Sequence, residues 1–159
     1  MRKFMRNLSP FQQLAVAAIG VLLFMKACES SEIDPRKWEE MLAAWYSVAG
    51  FDEITLTPRS GDLGRDLIAV KRDIVTVRVI DQVKAYRPGH LVTANDVRAL
   101  LGILQADHGA TKGYVTTTSD FAPKIKKDKI IAPFVPFRLE LINKDALLAR
   151  LKQVADKGS

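Results

Sequence analysis

The side chains best suited to chemistry lie in two short stretches, Ser60-Gly-Asp-Leu-Gly-Arg-Asp66 and Asp81-Gln82-Val83-Lys84, with Gln82 sixteen residues after Asp66. Side chains on a strand alternate between its two faces. In a strand over Thr76–Lys84, Arg78, Ile80, Gln82 and Lys84 share one face, and Val77, Val79 and Val83 the other. If the preceding strand is the hairpin neighbour, Asp66 comes beside Gln82 and Lys84 near one end of the sheet. A carboxylate, an amide oxygen and an ammonium then converge, a grouping that suits metal-assisted hydrolysis of a phosphodiester. Mg²⁺ takes hard oxygen ligands and keeps several waters, so one carboxylate, a neutral oxygen, a backbone carbonyl and the phosphate itself suffice. A lysine can orient the attacking water and stabilise charge on the transition state. Taken singly, Asp66 reads as a turn cap and Lys84 as a solvated strand-end lysine; the combination is what carries weight. Asp81 points away from Gln82 and reads as structural.

The elements that must position these residues follow from patterning. Asp34 caps a helix with Pro35 in its first turn, Trp38, Met41, Leu42, Trp45, Val48 and Ala49 follow helical spacing, and Gly50 ends it. Three strands follow, Glu53–Thr57, Asp66–Lys71 and Thr76–Lys84, with Pro58–Gly64 as the first turn and Arg72-Asp73 as a tight hairpin turn. Thr93-Ala-Asn-Asp96 resembles a capping box at the start of a second helix, with Val97, Leu100, Leu101 and Leu104 as its buried stripe. Gly113–Thr117 reads as a strand, Phe121–Lys129 as a basic helical segment, Arg138–Ile142 as a last strand, and Asn143 or Lys144 to about Ala155 as a last helix. The expected architecture is α/β, a mixed central sheet flanked by helices.

These residues resemble the Mrr-like branch of the PD-(D/E)xK nuclease superfamily. That branch shows a helix with Phe-Glu, then Ser-Gly-Asp-Gly-Gly-x-Asp, then Gln-x-Lys; this chain has Trp38-Glu39, Ser60 to Asp66 and Gln82-Val-Lys84. Stretches Ala110–Phe121 and Leu139–Leu147 are similar too, so the resemblance covers about Ile33 to Lys152. It implies a restriction-endonuclease-like core and a Mg²⁺-dependent endonuclease acting on DNA, with Mn²⁺ as a substitute metal. By position, Asp66 looks like the principal metal ligand, Gln82 the second, the Val83 carbonyl the third, Lys84 the catalytic lysine, and Glu39 a helical glutamate supporting the metal or its water. The helical wheel sets Glu39 about 100° from Trp38, at the margin of the apolar stripe, and Glu40, the fallback, about 200° away. Leu63 departs from the family pattern where a glycine is usual, and glycine tolerates far more backbone conformations.

The net charge of +6 is unevenly spread. Residues 1–28 hold Arg2, Lys3, Arg6 and Lys26 and no acid, which leaves 20 basic against 18 acidic side chains beyond them. Overall basicity is therefore no evidence for nucleic acid; local clusters would have to supply it. Lys124, Lys126 and Lys127, with Lys129, form one such cluster, and Arg65 stands beside the site; these four, Arg65, Lys124, Lys126 and Lys127, are the candidate nucleic-acid contacts. Cys28 alone excludes an internal disulfide or a multi-cysteine zinc site.

Residues 1–28 form a hydrophobic segment, 29–33 a linker, and 34–159 the nuclease-like domain. The uninterrupted apolar run is Leu14–Met25, and a helix over Phe11–Cys28 would reach about 27 Å, near the lower limit for spanning a bilayer. The favoured expectation is a single-pass membrane anchor with a cytoplasmic domain; a cleaved signal peptide fits less well, because Lys26 spoils the approach to a cleavage site. A homodimer is compatible with the pattern. Two rival functions stand beside the nuclease: a non-catalytic nuclease-fold module that binds nucleic acid or a protein at the membrane, and a Holliday-junction-resolvase-like nuclease.

Overall fold

A computed structural model describes residues 34–58 and 65–157. The expected anchor and the turn residues Ser60–Gly64 lie outside the described residues. Helix α1 (Pro35–Val48) opens as its sequence dictates: the Asp34 carboxylate accepts the Arg36 N–H at 3.0 Å, and Pro35 occupies the first turn. Trp38, Met41 and Leu42 are buried along one face. Gly50, at φ +85°, turns the chain out of the helix, and Phe51 N–H closes onto the Tyr46 carbonyl at 3.1 Å.

The chain then builds a five-stranded sheet in the order β1-β2-β3-β4-β5. Strands β1 (Glu53–Leu56), β2 (Leu67–Arg72) and β3 (Thr76–Lys84) form an antiparallel meander. Helix α2 (Ala94–Ala106) crosses over to β4 (Lys112–Thr117), which runs parallel to β3, and β5 (Leu139–Ile142) runs parallel to β4. Helix α3 (Lys144–Lys157) ends the described chain. This is the mixed α/β sheet between helices that the patterning predicts.

Alternation along β3 sorts the two cores. Val79, with Val77 and Val83 at its margin, packs with α1 and α3 through Trp38, Leu42, Leu147 and Leu151. Ile80 packs on the other face with Val97, Leu100 and Leu104 of α2. Gly113 lets α2 sit close: a Cβ there would lie 2.6 Å from Leu104 Cδ1. The capping box of α2 is present in full, with Thr93 and Asp96 exchanging hydrogen bonds.

Two local expectations are corrected. The β2–β3 connection is a three-residue loop, Asp73 to Val75, since Arg72 pairs with Thr76, and it leaves Ile74 fully exposed. The segment Phe121–Lys129 is not a helix but holds one 3₁₀ turn, Ile125–Lys127. Pro123 disfavours helical backbone at Ala122, and Lys124 adopts the left-handed φ of 67°. Among the described residues no helix is long and apolar enough to cross a membrane.

Candidate active site

The β2–β3 hairpin does the first work of assembly. Its last described pair at this end is Leu67 with Asp81, so one further step sets Asp66 across from Gln82. Two hydrogen bonds hold that step. The Asp66 N–H donates to the Asp81 carbonyl at 3.2 Å, and Asp66 Oδ2 accepts the Val83 N–H at 2.7 Å. Gln82 is only 5% exposed, and among the described residues its buried Oε1 has no hydrogen-bond partner. A buried acceptor left in this state is costly, and this one stands across the hairpin from the Asp66 carboxylate.

Lys84 ends β3 on the same face as Gln82, turned toward α2. Its Nζ lies 3.8 Å from Asp96 Oδ1, with both side chains 23% exposed. Its carbonyl accepts from Thr117 Oγ1 at 2.8 Å and from the Tyr86 N–H at 2.9 Å. The structure therefore gathers Asp66, Gln82, Val83 and Lys84 at one end of the sheet.

Glu39 reaches this end from α1. It is buried, whereas Glu40 is half-buried. Arg36 Nη1 donates to Glu39 Oε2 at 2.6 Å and to the Thr57 carbonyl at 2.9 Å. Thr57 in turn donates its N–H to the Asp66 carbonyl at 3.1 Å, and its hydroxyl donates to the Arg65 carbonyl. Glu39 and Asp66 are thus joined through Arg36 and the end of β1. Neither Arg36 nor Asp96 was singled out from sequence as part of this site; the three-residue spacing of Arg36 and Glu39 on a helix is a signal that can be read.

Arg65 does not extend into solvent. It lies 3.5 Å from Asp107 Oδ2, which also takes Arg78 at 3.0 Å. The hydrogen bond from Arg78, stronger than the opposing effect of burial, holds the Asp107 carboxyl below the usual range. Lys124, Lys126 and Lys127 are all exposed. Lys124 and Lys127 border a shallow hollow of about 340 Å³ with Ala94 of the first turn of α2, the turn whose Asp96 meets Lys84.

Beneath the site, on the α1 face, Asp81 is fully buried. It accepts from Tyr46 Oη at 2.9 Å and Thr116 Oγ1 at 2.8 Å. Burial pushes its carboxyl up to about 7 against the pull of those hydrogen bonds and of Arg150. Burial and the neighbouring Asp81 charge likewise raise the Tyr46 phenol. Asp81 thus bridges α1, β3 and β4 and braces the strand that carries Gln82. Among the described residues no three His, Cys, Asp or Glu side chains converge as a metal cage. Any cation here would rely on a mixed set of carboxylate, amide and carbonyl oxygens.

The family model Mrr_cat, described as restriction endonuclease, matches residues 30–151. No curated protein sequence matches the chain. Among solved structures, the chain is similar to "MspJI Restriction Endonuclease in Complex with 27-mer Oligonucleotide", at 19% identity and a TM-score of 0.59, covering 96% of this chain and 36% of that one. It is also similar to "DNA modification-dependent restriction endonuclease AspBHI", at 15% identity and a TM-score of 0.59, covering 99% of this chain and 44% of that one. At these identities the likeness establishes the fold, which is restriction-endonuclease-like. The chain spans less than half the length of either neighbour.

Proposed function

This chain belongs to the Mrr_cat restriction endonuclease family, and on that premise we propose that it is a metal-dependent endonuclease hydrolysing DNA phosphodiesters. The observation that carries the reading is the buried Oε1 of Gln82, without a hydrogen-bond partner among the described residues and across the hairpin from the Asp66 carboxylate. Asp66, Gln82 and the Val83 carbonyl would hold Mg²⁺, or Mn²⁺ in its place; all are hard oxygen donors, as such a cation requires. When bound, the cation polarises the phosphodiester and makes water more acidic.

The chain's own residues supply the rest. Lys84 presents a compact ammonium that orients the attacking water and stabilises charge gathering on the phosphate as the new P–O bond forms and the ester bond breaks. Glu39, braced by Arg36, adds a buried negative charge on the α1 side. The Val83 N–H fixes one oxygen of Asp66 and so sets the plane of the carboxylate. Lys124, Lys126 and Lys127 neutralise phosphates of the same DNA along the first turn of α2. The Arg65 guanidinium, at Asp107 just past the C-terminus of α2, would meet DNA phosphate toward the other end of that helix from Lys84. The segment 1–28 tethers the enzyme to a membrane with the domain on the cytoplasmic side; membrane fractionation and protease protection test that part.

The test is cleavage of methylated and unmethylated plasmid and phage DNA by the purified chain, with Mg²⁺ or EDTA, beside Asp66→Ala and Lys84→Ala. Cleavage that needs Mg²⁺ and is lost in both variants is expected. Absence of cleavage by a folded chain on every substrate would reject the enzyme and favour a binding module.

A further inference from the structure

Lys84 has its backbone fixed, and its ammonium faces the Asp96 carboxylate at 3.8 Å. Its carbonyl accepts from Thr117 Oγ1, the Tyr86 N–H and the Thr118 N–H, at 2.8, 2.9 and 3.3 Å. The four-carbon stem would still sample several rotamers, because a lysine head is a flexible point charge. We propose that Asp96 is a positioning residue for catalysis, a carboxylate built into the first turn of α2 that aims the Lys84 ammonium at the scissile phosphate; this rests on the nuclease reading of Lys84.

The two oxygens of Asp96 divide the work. Oδ2 accepts the Thr93 N–H at 2.9 Å and Thr93 Oγ1 at 2.8 Å, which closes the capping box and fixes the carboxylate plane. Oδ1 faces Lys84 Nζ at 3.8 Å and the Tyr86 hydroxyl at 3.5 Å. The carboxylate is thus rigid, mounted on a helix whose Val97 and Leu100 are fully buried. At 3.8 Å the ammonium is steered without being sequestered in a tight contact pair, so its donors stay available to a phosphate. Burial opposes ionisation of Asp96, but the Thr93 hydrogen bonds and the Lys84 charge outweigh it and hold the carboxyl below its usual range, in the charged form this role needs. A capping box needs only a side-chain acceptor at this position, usually Glu or Gln. Capping alone therefore does not call for the charge.

The test uses the full chain and Asp96→Asn, which keeps an acceptor for Thr93 and removes the charge facing Lys84. Asp96→Glu restores the charge, and Val97→Ala loosens α2 without touching the pair. Relaxation of the lysine ε-methylene carbons in the metal-free protein should show Lys84 more ordered than Lys126 in wild type, as mobile as Lys126 in Asp96→Asn, and ordered again in Asp96→Glu. With Mg²⁺ and DNA, kcat should fall about ten- to a hundredfold in Asp96→Asn at nearly constant KM. Val97→Ala should lower the melting temperature more and kcat less. A Lys84 that stays ordered in Asp96→Asn would overturn the proposal, as would an equal kcat loss in Val97→Ala. Should the wild-type chain cleave no DNA, the nuclease reading fails, while the relaxation data still decide whether Asp96 holds Lys84.

Discussion

Replacing Gln82 by Met should make the metal-free protein more stable and abolish its response to Mg²⁺. Gln82 Oε1 is buried and has no hydrogen-bond partner among the described residues, a state that costs about 1–3 kcal/mol for a neutral group. Methionine is unbranched, similar in length and has no such oxygen, so most of that cost should be recovered. Unfolding entropy near 2.1 cal/mol/K per residue, over roughly 125 residues, gives about 0.26 kcal/mol/K. The gain therefore corresponds to a melting temperature higher by about 4–11 °C in EDTA. Mg²⁺ at tenfold its Kd should add about 1.4 kcal/mol to wild type, or about 5 °C, and nothing to the variant. Thermal melts in EDTA and across a Mg²⁺ series measure both effects, and DNA cleavage should disappear in parallel. A variant no more stable than wild type in EDTA would mean that the oxygen is not a cost to the fold. A Mg²⁺ shift that survives in the variant would remove Gln82 from the ligand set.

Further expectations concern the surroundings of the site. Folding raises the Asp81 carboxyl from about 3.8 to about 7. The folded state then binds the proton more tightly between those values, so the contribution of this group to stability is greatest below about pH 4, falls as pH rises to about 7 and is flat above, by an amount on the order of 4 kcal/mol. Asp81→Asn, whose amide can still pair with both hydroxyls, should abolish that decline; melts from pH 5 to 9 that show the same slope for both proteins would contradict it. Glu39→Gln should reduce cleavage about 10–100-fold, as losses of supporting residues around metal sites do, measured as kcat/KM at saturating Mg²⁺. Lys124→Ala and Lys127→Ala should weaken DNA binding evenly across sequences, each lowering the salt slope by about 1, read by titration from low to moderate salt. Gly113→Ala should cost about 1–3 kcal/mol, since the added methyl meets Leu104 at 2.6 Å, seen in chemical denaturation.

What could be read from sequence was what depends on periods and local spacing. Alternation along Thr76–Lys84 assigns Ile80 and Val79 to opposite cores, as found. The Thr93–Asp96 box and the Asp34 cap are visible because their partners lie two or three residues away. The tight Arg72-Asp73 turn was misjudged because Arg72 still pairs with Thr76 in the ladder, which leaves Asp73 to Val75 as the loop and Ile74 fully exposed. The segment after Phe121 was misjudged because its lysines suit a helix, while Pro123 and the left-handed Lys124 break it. The partners of the charged residues were out of reach. Arg65 meets Asp107 across 42 positions, and Lys84 meets Asp96 only because α2 folds back over β3. Tertiary pairs of that kind leave no local pattern.

The division of the sheet has a consequence for how the molecule comes into being. The meander that joins Asp66 to Gln82 needs only short-range closure, with Leu67 and Asp81 14 positions apart, whereas the parallel half must bring Val79 to Lys112 across 33. Hairpins close in about 1–10 μs, and non-local parallel pairing is intrinsically slower. A chain emerging from the ribosome N-terminus first forms the Asp66–Gln82 hairpin before α2 arrives to face Lys84 with Asp96. Under the proposed function, hydrolytic competence would appear only with the last folding step, once the parallel half of the sheet and α2 have closed on the hairpin.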